Sequence, residues 1–174
     1  MITLILGGAR SGKSDLALRL AQAIPGRKAF VATALACDAE MAERIKRHQK
    51  NRGLSWELFE EPLEIGKLLQ RIGPQFDAVV VDCLTLWMGN RLTSFGNGWG
   101  EEALREELGL ICEVGRPEGL HLILVSNEVW MGIVPENALA RAFRDLSGRA
   151  HQIVAEAANV VYFCVAGLAM RLKG

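Results

Sequence analysis

The sequence near the amino terminus contains a motif that could bind phosphate. Residues 7–14 read GGARSGKS and fill every fixed position of the pattern G-x-x-x-x-G-K-[ST]. In this pattern the glycines let consecutive backbone N–H groups converge on an anion, the lysine reaches the β- and γ-phosphates, and the hydroxyl binds Mg²⁺. A tight turn before a helix is the alternative, but a turn needs neither the lysine nor the hydroxyl. We therefore predict that Lys13 is catalytic and that a nucleotide is bound by Gly7, Gly8, Ala9, Arg10, Ser11, Gly12, Lys13 and Ser14.

An acidic residue follows a second apolar run. Asp82 comes directly after AVVV at residues 78–81. In enzymes with this loop, an acid at the carboxyl end of a neighbouring strand binds Mg²⁺ beside the loop hydroxyl, and the carboxyl ends of parallel strands meet at one edge of the sheet. Many strands end in Asp only to form a turn, so the acid alone is a weak signal. With the loop present, we predict that Ser14 and Asp82 are metal ligands.

One of the three histidines is surrounded in the chain by cations. His48 lies among Arg44, Lys46, Arg47, Lys50 and Arg52. These charges disfavour the protonated imidazole, so that His48 could attack an α-phosphorus, and they would attract a triphosphate. On a predicted helix, however, Met41, Ile45 and His48 share one face. From the residues alone a histidine packed on that apolar face is the favoured interpretation, and a solvated helix end explains the cations.

The elements that would position these residues alternate between short apolar strands and helical patterns. This alternation is typical of an α/β protein with a mainly parallel sheet flanked by helices. Strands are predicted over residues 2–6, 28–33, 55–59, 120–126 and 160–165, with an edge strand over 168–173. Helices are predicted over residues 13–21, 38–50, 63–72, 101–114 and 136–158, the last interrupted near Gly148. The run AVVVDCLTLW at residues 78–87 is interpreted as one buried segment, and residues 94–100 as a loop.

Length and composition limit the class of protein. The 174 residues predict a single domain over residues 1–174, large enough to bury a core. Lys+Arg and Asp+Glu are both 20, and this zero net charge argues against a general binder of nucleic acid. The four cysteines are far apart, which favours a reduced, cytoplasmic protein over a disulfide scaffold. No secretory signal and no stretch long enough to span a membrane is expected.

Several segments resemble one enzyme family, in order along the chain. They are GGARSGKS, EMAERIKRH at residues 40–48, VVVDCLTLWMGN at 79–90, SNEVWMGIVPEN at 126–137 and RAFRDLSGRAHQ at 141–152. Together they resemble the bifunctional adenosylcobinamide kinase / adenosylcobinamide-phosphate guanylyltransferases of cobalamin biosynthesis. Two positions depart from the family pattern. Trp130 stands where a small residue is usual, and His151 stands where an asparagine is common.

The resemblance implies a P-loop fold with recombinase-type strand order, a homotrimer and two reactions. Adenosylcobinamide is phosphorylated with ATP or GTP on its aminopropanol hydroxyl, and GMP from GTP is then transferred to that phosphate through a guanylyl-histidine. The resemblance identifies His48 as this histidine. It adds Ala32, Thr33, Ala34 and Glu60 to the nucleotide site, with the Glu60 carboxylate near guanine. The implied partner is a corrinoid small molecule, with neither nucleic acid nor membrane.

Two other classes remain open at this point. A small-molecule kinase with the same loop would release nucleoside diphosphate and never pyrophosphate. An oligomeric ATPase acting on a macromolecule would need a basic surface, and the neutral net charge argues against it. Asn127 and Glu128 end a predicted strand and are expected to line the cleft. A nearby helix carries arginines that either hold phosphates or keep the helix soluble: Arg141, Arg144 and Arg149.

Overall fold

The computed structural model describes residues 1–34, 56–96 and 99–174, and a sheet of seven strands lies at its centre. The strands are β1 (Ile2–Gly7), β2 (Lys28–Ala32), β3 (Trp56–Glu60), β4 (Ala78–Asp82), β5 (His121–Asn127), β6 (Val160–Val165) and β7 (Leu168–Lys173). Their spatial order is β3-β2-β4-β5-β1-β6-β7. All neighbours pair in parallel except β6 and β7, which form an antiparallel hairpin at the edge. The predicted strands and the predicted parallel sheet are confirmed.

Helices cover both faces of this sheet. They are α1 (Lys13–Gln22), α2 (Ile65–Ile72), α3 (Leu84–Phe95), α4 (Glu101–Val114) and α5 (Ala138–Ala157), with a 3₁₀ turn at Gly73–Gln75. Side chains of α1 pack with Ile5 and Val80 on one face, whereas those of α2 to α5 pack with Leu4 and Val79 on the other. Because both faces are covered, the central strands are apolar at nearly every position rather than alternating.

Helix α3 was not predicted. The run at residues 78–87 divides into two elements, since β4 ends at Asp82 and α3 begins at Leu84. The residues that α3 buries include Leu84, Trp87, Met88 and Leu92, which have helical spacing. A continuous apolar run cannot distinguish a buried strand from a buried helix by its period, and here it contains both. The predicted loop over residues 94–100 therefore starts later, after Phe95.

Helix α5 continues through the glycine that was expected to interrupt it. Its first turn is capped by Asn137, whose side chain accepts a 3.0 Å hydrogen bond from the Ala140 N–H. A Cβ atom on Gly148 would lie 3.3 Å from Cδ1 of Trp130. The glycine therefore gives the indole room to pack against the helix, and it does not end the helix.

The six parallel strands, β1 to β6, all end on the same side of the sheet. We call the side on which these strands end the carboxyl edge. The loops that leave this edge contain most of the predicted site residues. The helix predicted over residues 38–50 lies outside the described residues. Within the described ranges, no helix has the length and apolar character needed to cross a bilayer.

Candidate active site at the carboxyl edge

The phosphate-binding loop connects β1 to α1 in a conformation that depends on its glycines. Gly7 and Gly12 have φ angles of 152° and 94°. A Cβ atom on Gly7 would lie only 2.4 Å from the carbonyl oxygen of Cys164, so no larger residue fits without a backbone shift. Gly12 is the N-cap of α1. The loop therefore leads directly to the unpaired N–H groups and positive dipole of a helix N-terminus, which attract an anion.

The turn between β6 and β7 supports this loop. The Gly167 N–H donates a 3.1 Å hydrogen bond to the Ser11 carbonyl. A Cβ atom on Gly12 would come within 3.2 Å of the Gly167 Cα atom. The edge hairpin thus packs tightly on the loop and helps to fix its shape.

Lys13 is the first residue of α1, and its ammonium lies against the loop. The residue is 7% exposed. Its Nζ donates a 2.6 Å hydrogen bond to the Gly8 carbonyl and lies 3.4 Å from Ser11 Oγ. A compact ammonium with three donors suits phosphate oxygens, and this one is already at the loop that would hold them.

Ser14 and Asp82 meet at the same edge. Ser14 Oγ donates a 2.6 Å hydrogen bond to Asp82 Oδ2. Since β5 lies between β1 and β4, the acid comes from the next strand but one. Hydroxyl and carboxylate oxygens suit Mg²⁺, which protein sites usually hold through one or two carboxylates together with substrate phosphates. In the part of the chain that the structure describes, no group of three or more His, Cys, Asp or Glu could hold a metal alone.

The sheet register places three more of the predicted site residues near Asp82 at the carboxyl edge. Ala32 at the end of β2 lies opposite Asp82 of β4 on one side and opposite Glu60 of β3 on the other. Thr33, which follows Ala32, is fully buried. Its N–H donates to the Asp82 carbonyl at 3.2 Å, and its Oγ1 donates to the Cys83 carbonyl at 2.7 Å and accepts from the Cys83 N–H at 2.8 Å. Thr33 is therefore fixed to the strand end that carries Asp82.

A chain of buried polar side chains supports the end of β5. Asn127 ends β5 opposite Gly7, and its N–H donates a 2.6 Å hydrogen bond to Thr85 Oγ1 in the first turn of α3. Thr85 Oγ1 lies 2.9 Å from Ser126 Oγ, which lies 2.7 Å from His151 Nε2 in α5. Glu128, the next residue, donates its N–H to the Gly7 carbonyl at 2.9 Å. The predicted cleft residues are thus adjacent to the phosphate-binding loop.

The two positions that depart from the family pattern contact each other. The rings of Trp130 and His151 lie 5.2 Å apart at 72°, in an edge-to-face arrangement. His151 is buried, and burial lowers its pKa to about 4. His151 is therefore neutral near pH 7, and it takes part as a hydrogen-bonding group in the chain of buried polar side chains that leads to Asn127.

Cys83 is next to the predicted metal ligand but is not an activated thiol. Burial, and then the negative charge of Asp82, raise its pKa to about 12. The thiolate, which is the nucleophilic form, is therefore negligible near neutral pH.

The arginines of α5 differ in their contacts. Arg141 donates to the carbonyls of Pro135 and Glu136 at 3.0 Å and 2.6 Å, and so it closes the loop before its own helix. Arg149 lies 3.5 Å from a carboxylate oxygen of Glu101 on the surface. Both contacts are structural ones. His48 and its neighbouring cations lie outside the described residues, and this segment follows Ala34 in the chain.

The sequence as a whole matches that of known enzymes. Residues 3–172 match the family described as cobinamide kinase / cobinamide phosphate guanyltransferase. The chain belongs to this family. The bifunctional adenosylcobalamin biosynthesis protein CobP of Pseudomonas aeruginosa is 45% identical, over 100% of this chain and 98% of that protein. The bifunctional adenosylcobalamin biosynthesis proteins CobU of Escherichia coli and Salmonella typhimurium are each 36% identical over 99% of this chain and 100% of their own length.

Two solved structures with a similar fold are a recombinase and an ATPase. The RadB recombinase has a TM-score of 0.54 and 20% identity over 93% of this chain and 73% of that chain. An ATPase from a bacterial type III secretion system has a TM-score of 0.62 and 10% identity over 98% of this chain and 56% of that chain. At such low identity these likenesses concern the fold alone, and they confirm the predicted P-loop fold class of this member of the cobinamide kinase family.

Three polar residues at this edge were not singled out from the sequence as site residues. Thr85 and Ser126 belong to the chain that supports Asn127, and Asn90 of α3 donates hydrogen bonds to two loops. For Thr85 and Asn90 the sequence signal is the presence of polar residues within the apolar run that follows Asp82, and it becomes informative only once this run is assigned to a helix.

Proposed function

We propose that this protein catalyses two successive reactions on a corrinoid in cobalamin biosynthesis. It phosphorylates adenosylcobinamide with ATP or GTP, and it then transfers GMP from GTP to the new phosphate, giving adenosylcobinamide-GDP. The observation that carries this proposal is the meeting of Ser14 and Asp82 beside the phosphate-binding loop, in a chain that matches the family over residues 3–172. The description of that family names both activities.

In the kinase reaction the substrate hydroxyl oxygen forms a bond to the γ-phosphorus, and nucleoside diphosphate leaves with the bridging oxygen. The loop N–H groups and the α1 N-terminus hold the phosphates, while Lys13 places a positive charge where negative charge develops. Ser14 and Asp82 would hold Mg²⁺, which when bound neutralises charge on the β- and γ-phosphate oxygens. Most of the catalysis is then positioning and electrostatic stabilisation.

In the transfer reaction we propose that His48 is the nucleophile. A neutral imidazole nitrogen forms a bond to the α-phosphorus of GTP, and pyrophosphate leaves. A phosphate oxygen of adenosylcobinamide phosphate then attacks the same phosphorus, and the imidazole is released. The arginines and lysines that flank His48 in the chain would keep the imidazole neutral and stabilise the departing pyrophosphate.

Glu60 and the segment from Ala32 to Ala34 are proposed to bind the nucleoside. A carboxylate can accept hydrogen bonds from both the N1–H and the exocyclic amine of guanine, whereas adenine offers no such pair at these positions. Glu60 is exposed at the end of β3 and is level with Ala32 and Asp82 across the sheet. This placement suits a base that lies along the same edge as its phosphates.

Labelling with radioactive GTP tests the transfer half directly. With label in the α-phosphate and Mg²⁺ present, the protein should acquire an acid-labile adduct, and His48→Ala should abolish it. His121→Gln is the matched control, because His121 begins β5 at the opposite edge of the sheet and should leave labelling unchanged. Label in the γ-phosphate should not be retained. A kinase without transferase activity would phosphorylate adenosylcobinamide but form no adduct.

We also propose that the enzyme is a cytoplasmic homotrimer that binds no nucleic acid. The zero net charge is consistent with a small-molecule substrate. The edge strand β7 exposes three apolar side chains at alternate positions, Leu168, Met170 and Leu172, which are 53–72% exposed and would suit burial between subunits. Light scattering should give three times the chain mass of 19.1 kDa, and a monomeric mass would contradict the trimer.

A further inference from the structure

Asn90 connects two separate loops at the carboxyl edge. It lies in α3, and its Nδ2 donates a 2.8 Å hydrogen bond to the Thr33 carbonyl, which follows β2. The same nitrogen donates a 3.1 Å hydrogen bond to the Pro62 carbonyl, which follows β3. These are the loops in which the nucleoside contacts are proposed, and the Asn90 amide joins them beyond the last backbone pairing of β2 with β3.

The first loop is fixed to the phosphate and metal side of the site. Thr33 bonds to Asp82 and Cys83 through both its backbone N–H and its hydroxyl, as described above. Asp82 in turn accepts the hydrogen bond from Ser14. The Thr33 carbonyl is therefore held in a fixed position relative to the phosphate-binding loop.

The second loop is held along its length by the same helix. Trp87 Nε1 donates to the Leu63 carbonyl at 2.8 Å, and Arg91 donates to a Glu64 carboxylate oxygen at 2.9 Å. Together with Asn90, these side chains from adjacent turns of α3 bind three consecutive residues, 62–64.

The Glu61 side chain also stabilises this loop. Its Oε1 accepts hydrogen bonds from the N–H groups of Leu63 and Glu64, at 3.0 Å and 2.8 Å, and so stabilises the turn that precedes α2. The Glu61 N–H donates to the Ala32 carbonyl at 3.0 Å, which continues the pairing of β2 and β3. Glu60 immediately precedes this ordered segment.

The chemistry of Asn90 fixes the orientation of its amide. Both partners are carbonyl oxygens, which only accept, so the NH₂ group must face them. An aspartate of the same shape would instead place a carboxylate oxygen against two carbonyl oxygens. An alanine would leave both carbonyls without this donor.

We propose that Asn90 is a positioning residue for guanine recognition: it joins the segment that follows Glu60 to the fixed Thr33 carbonyl, and so sets how the Glu60 carboxylate at the end of β3 meets the base while the phosphates lie on the P-loop. This inference rests on the proposed function, because it takes the bound nucleotide to be GTP. Loss of the Asn90 amide should release the segment that follows Glu60 and so change the orientation of the Glu60 carboxylate. Recognition of the base should then weaken more than recognition of the phosphates, because Asn90 donates its hydrogen bonds to the Thr33 and Pro62 carbonyls and not to Lys13, Ser14 or Asp82.

Calorimetric titration with Mg²⁺ and three probes, GTP, ATP and inorganic triphosphate, tests the inference. The wild type should bind GTP more tightly than ATP. In Asn90→Ala, which removes the amide without adding a charge, the affinity for GTP should fall by about tenfold or more, as expected for loss of a hydrogen-bonded contact. The affinities for ATP and triphosphate should stay within about twofold of the wild type. The GTP preference should therefore disappear, which a general loss of stability would not cause.

Two further variants keep the test decisive. Thr93→Ala is the matched control, because Thr93 lies in the same helix and its hydroxyl donates to the Gly89 carbonyl at 2.8 Å on the exposed side. It should behave as the wild type with all three probes. Asn90→Leu is similar in size to the wild type, carries no charge and no donor, and is used if Asn90→Ala does not fold, as judged by circular dichroism.

The outcomes separate the two proposals. A folded wild type that does not bind GTP at all would refute the proposed function itself. A wild type that binds GTP and ATP equally would overturn the role of Asn90, since no guanine preference would exist for it to set. Asn90 variants that retain the GTP preference, or that lose triphosphate binding in parallel with GTP binding, would also overturn it.

Discussion

The pH dependence of stability should reveal the buried, neutral His151. Its ring is 4% exposed and its Nε2 lies 2.7 Å from Ser126 Oγ, and burial lowers its pKa from 6.5 to about 4. Below pH 6.5 the unfolded chain binds a proton that the folded chain still excludes. Stability should therefore be independent of this residue above about pH 7 and should fall as the pH decreases from 6.5 towards 4.

The size of the effect follows from the shift. A difference of 2.5 pKa units corresponds to about 3 kcal/mol in total, of which about 2 kcal/mol would be lost by pH 5. Since small proteins are stable by only about 5–15 kcal/mol, a loss of this size is readily measured.

Urea unfolding of the wild type and of His151→Asn at pH 7, 6 and 5 measures this contribution. The variant lacks the titrating ring, so its free energy of unfolding should decrease less between pH 7 and pH 5, by about 2 kcal/mol. Contributions of other groups, such as Glu64, whose pKa is lowered by its hydrogen bond to Lys67, cancel in the comparison. If the two proteins show the same pH dependence, burial does not keep His151 neutral and the reasoning is wrong.

Three substitutions at the carboxyl edge should affect activity or stability in different ways. Lys13→Ala should abolish both the kinase reaction and the guanylyl transfer, as measured by kinetics, while circular dichroism should show a folded protein. An unfolded variant would show instead that the lysine is structural. Gly7→Ala should destabilise the protein by about 2 kcal/mol or more in urea unfolding, because its Cβ atom would lie 2.4 Å from the Cys164 carbonyl oxygen. An unchanged urea concentration at the unfolding midpoint would contradict this. Thr85→Val should lower the free energy of unfolding by about 1–3 kcal/mol, because it leaves the Asn127 N–H unpaired. Thr85→Ser keeps the hydroxyl and should restore most of that stability. Equal losses in both variants would argue against the hydrogen bond as the cause.

The parts of the fold that repeat a local pattern could be predicted from the sequence. The strands of the parallel sheet are short apolar runs between turns, and α4 has helical spacing over its whole length, so its bounds were predicted as found. The loop motif identified Ser14, and the apolar run before Asp82 identified its partner. Their contact at 2.6 Å is the long-range consequence of a parallel sheet, in which strand ends share an edge.

Features that depend on contacts between distant segments could not be predicted in this way. Helix α3 buries the polar Thr85 and Arg91 and exposes the apolar Leu86 and Phe95, and so its sequence has no clear polar face that would mark the helical period. The hydrogen bonds of Asn90 join it to Thr33 and Pro62, which are 57 and 28 positions away in the chain, and no local pattern encodes such a pairing. The packing of Trp130 against α5 at Gly148 is also a contact between distant segments, which the local sequence around the glycine does not reveal.

The central claim is that one P-loop protein performs both a kinase reaction and a guanylyl transfer on a corrinoid. Incubation of the protein with adenosylcobinamide and Mg-GTP, followed by mass measurement of the corrinoid product, tests it most directly. We predict adenosylcobinamide-GDP together with release of pyrophosphate. Accumulation of adenosylcobinamide phosphate alone, or an unchanged corrinoid at saturating Mg-GTP, would contradict the account.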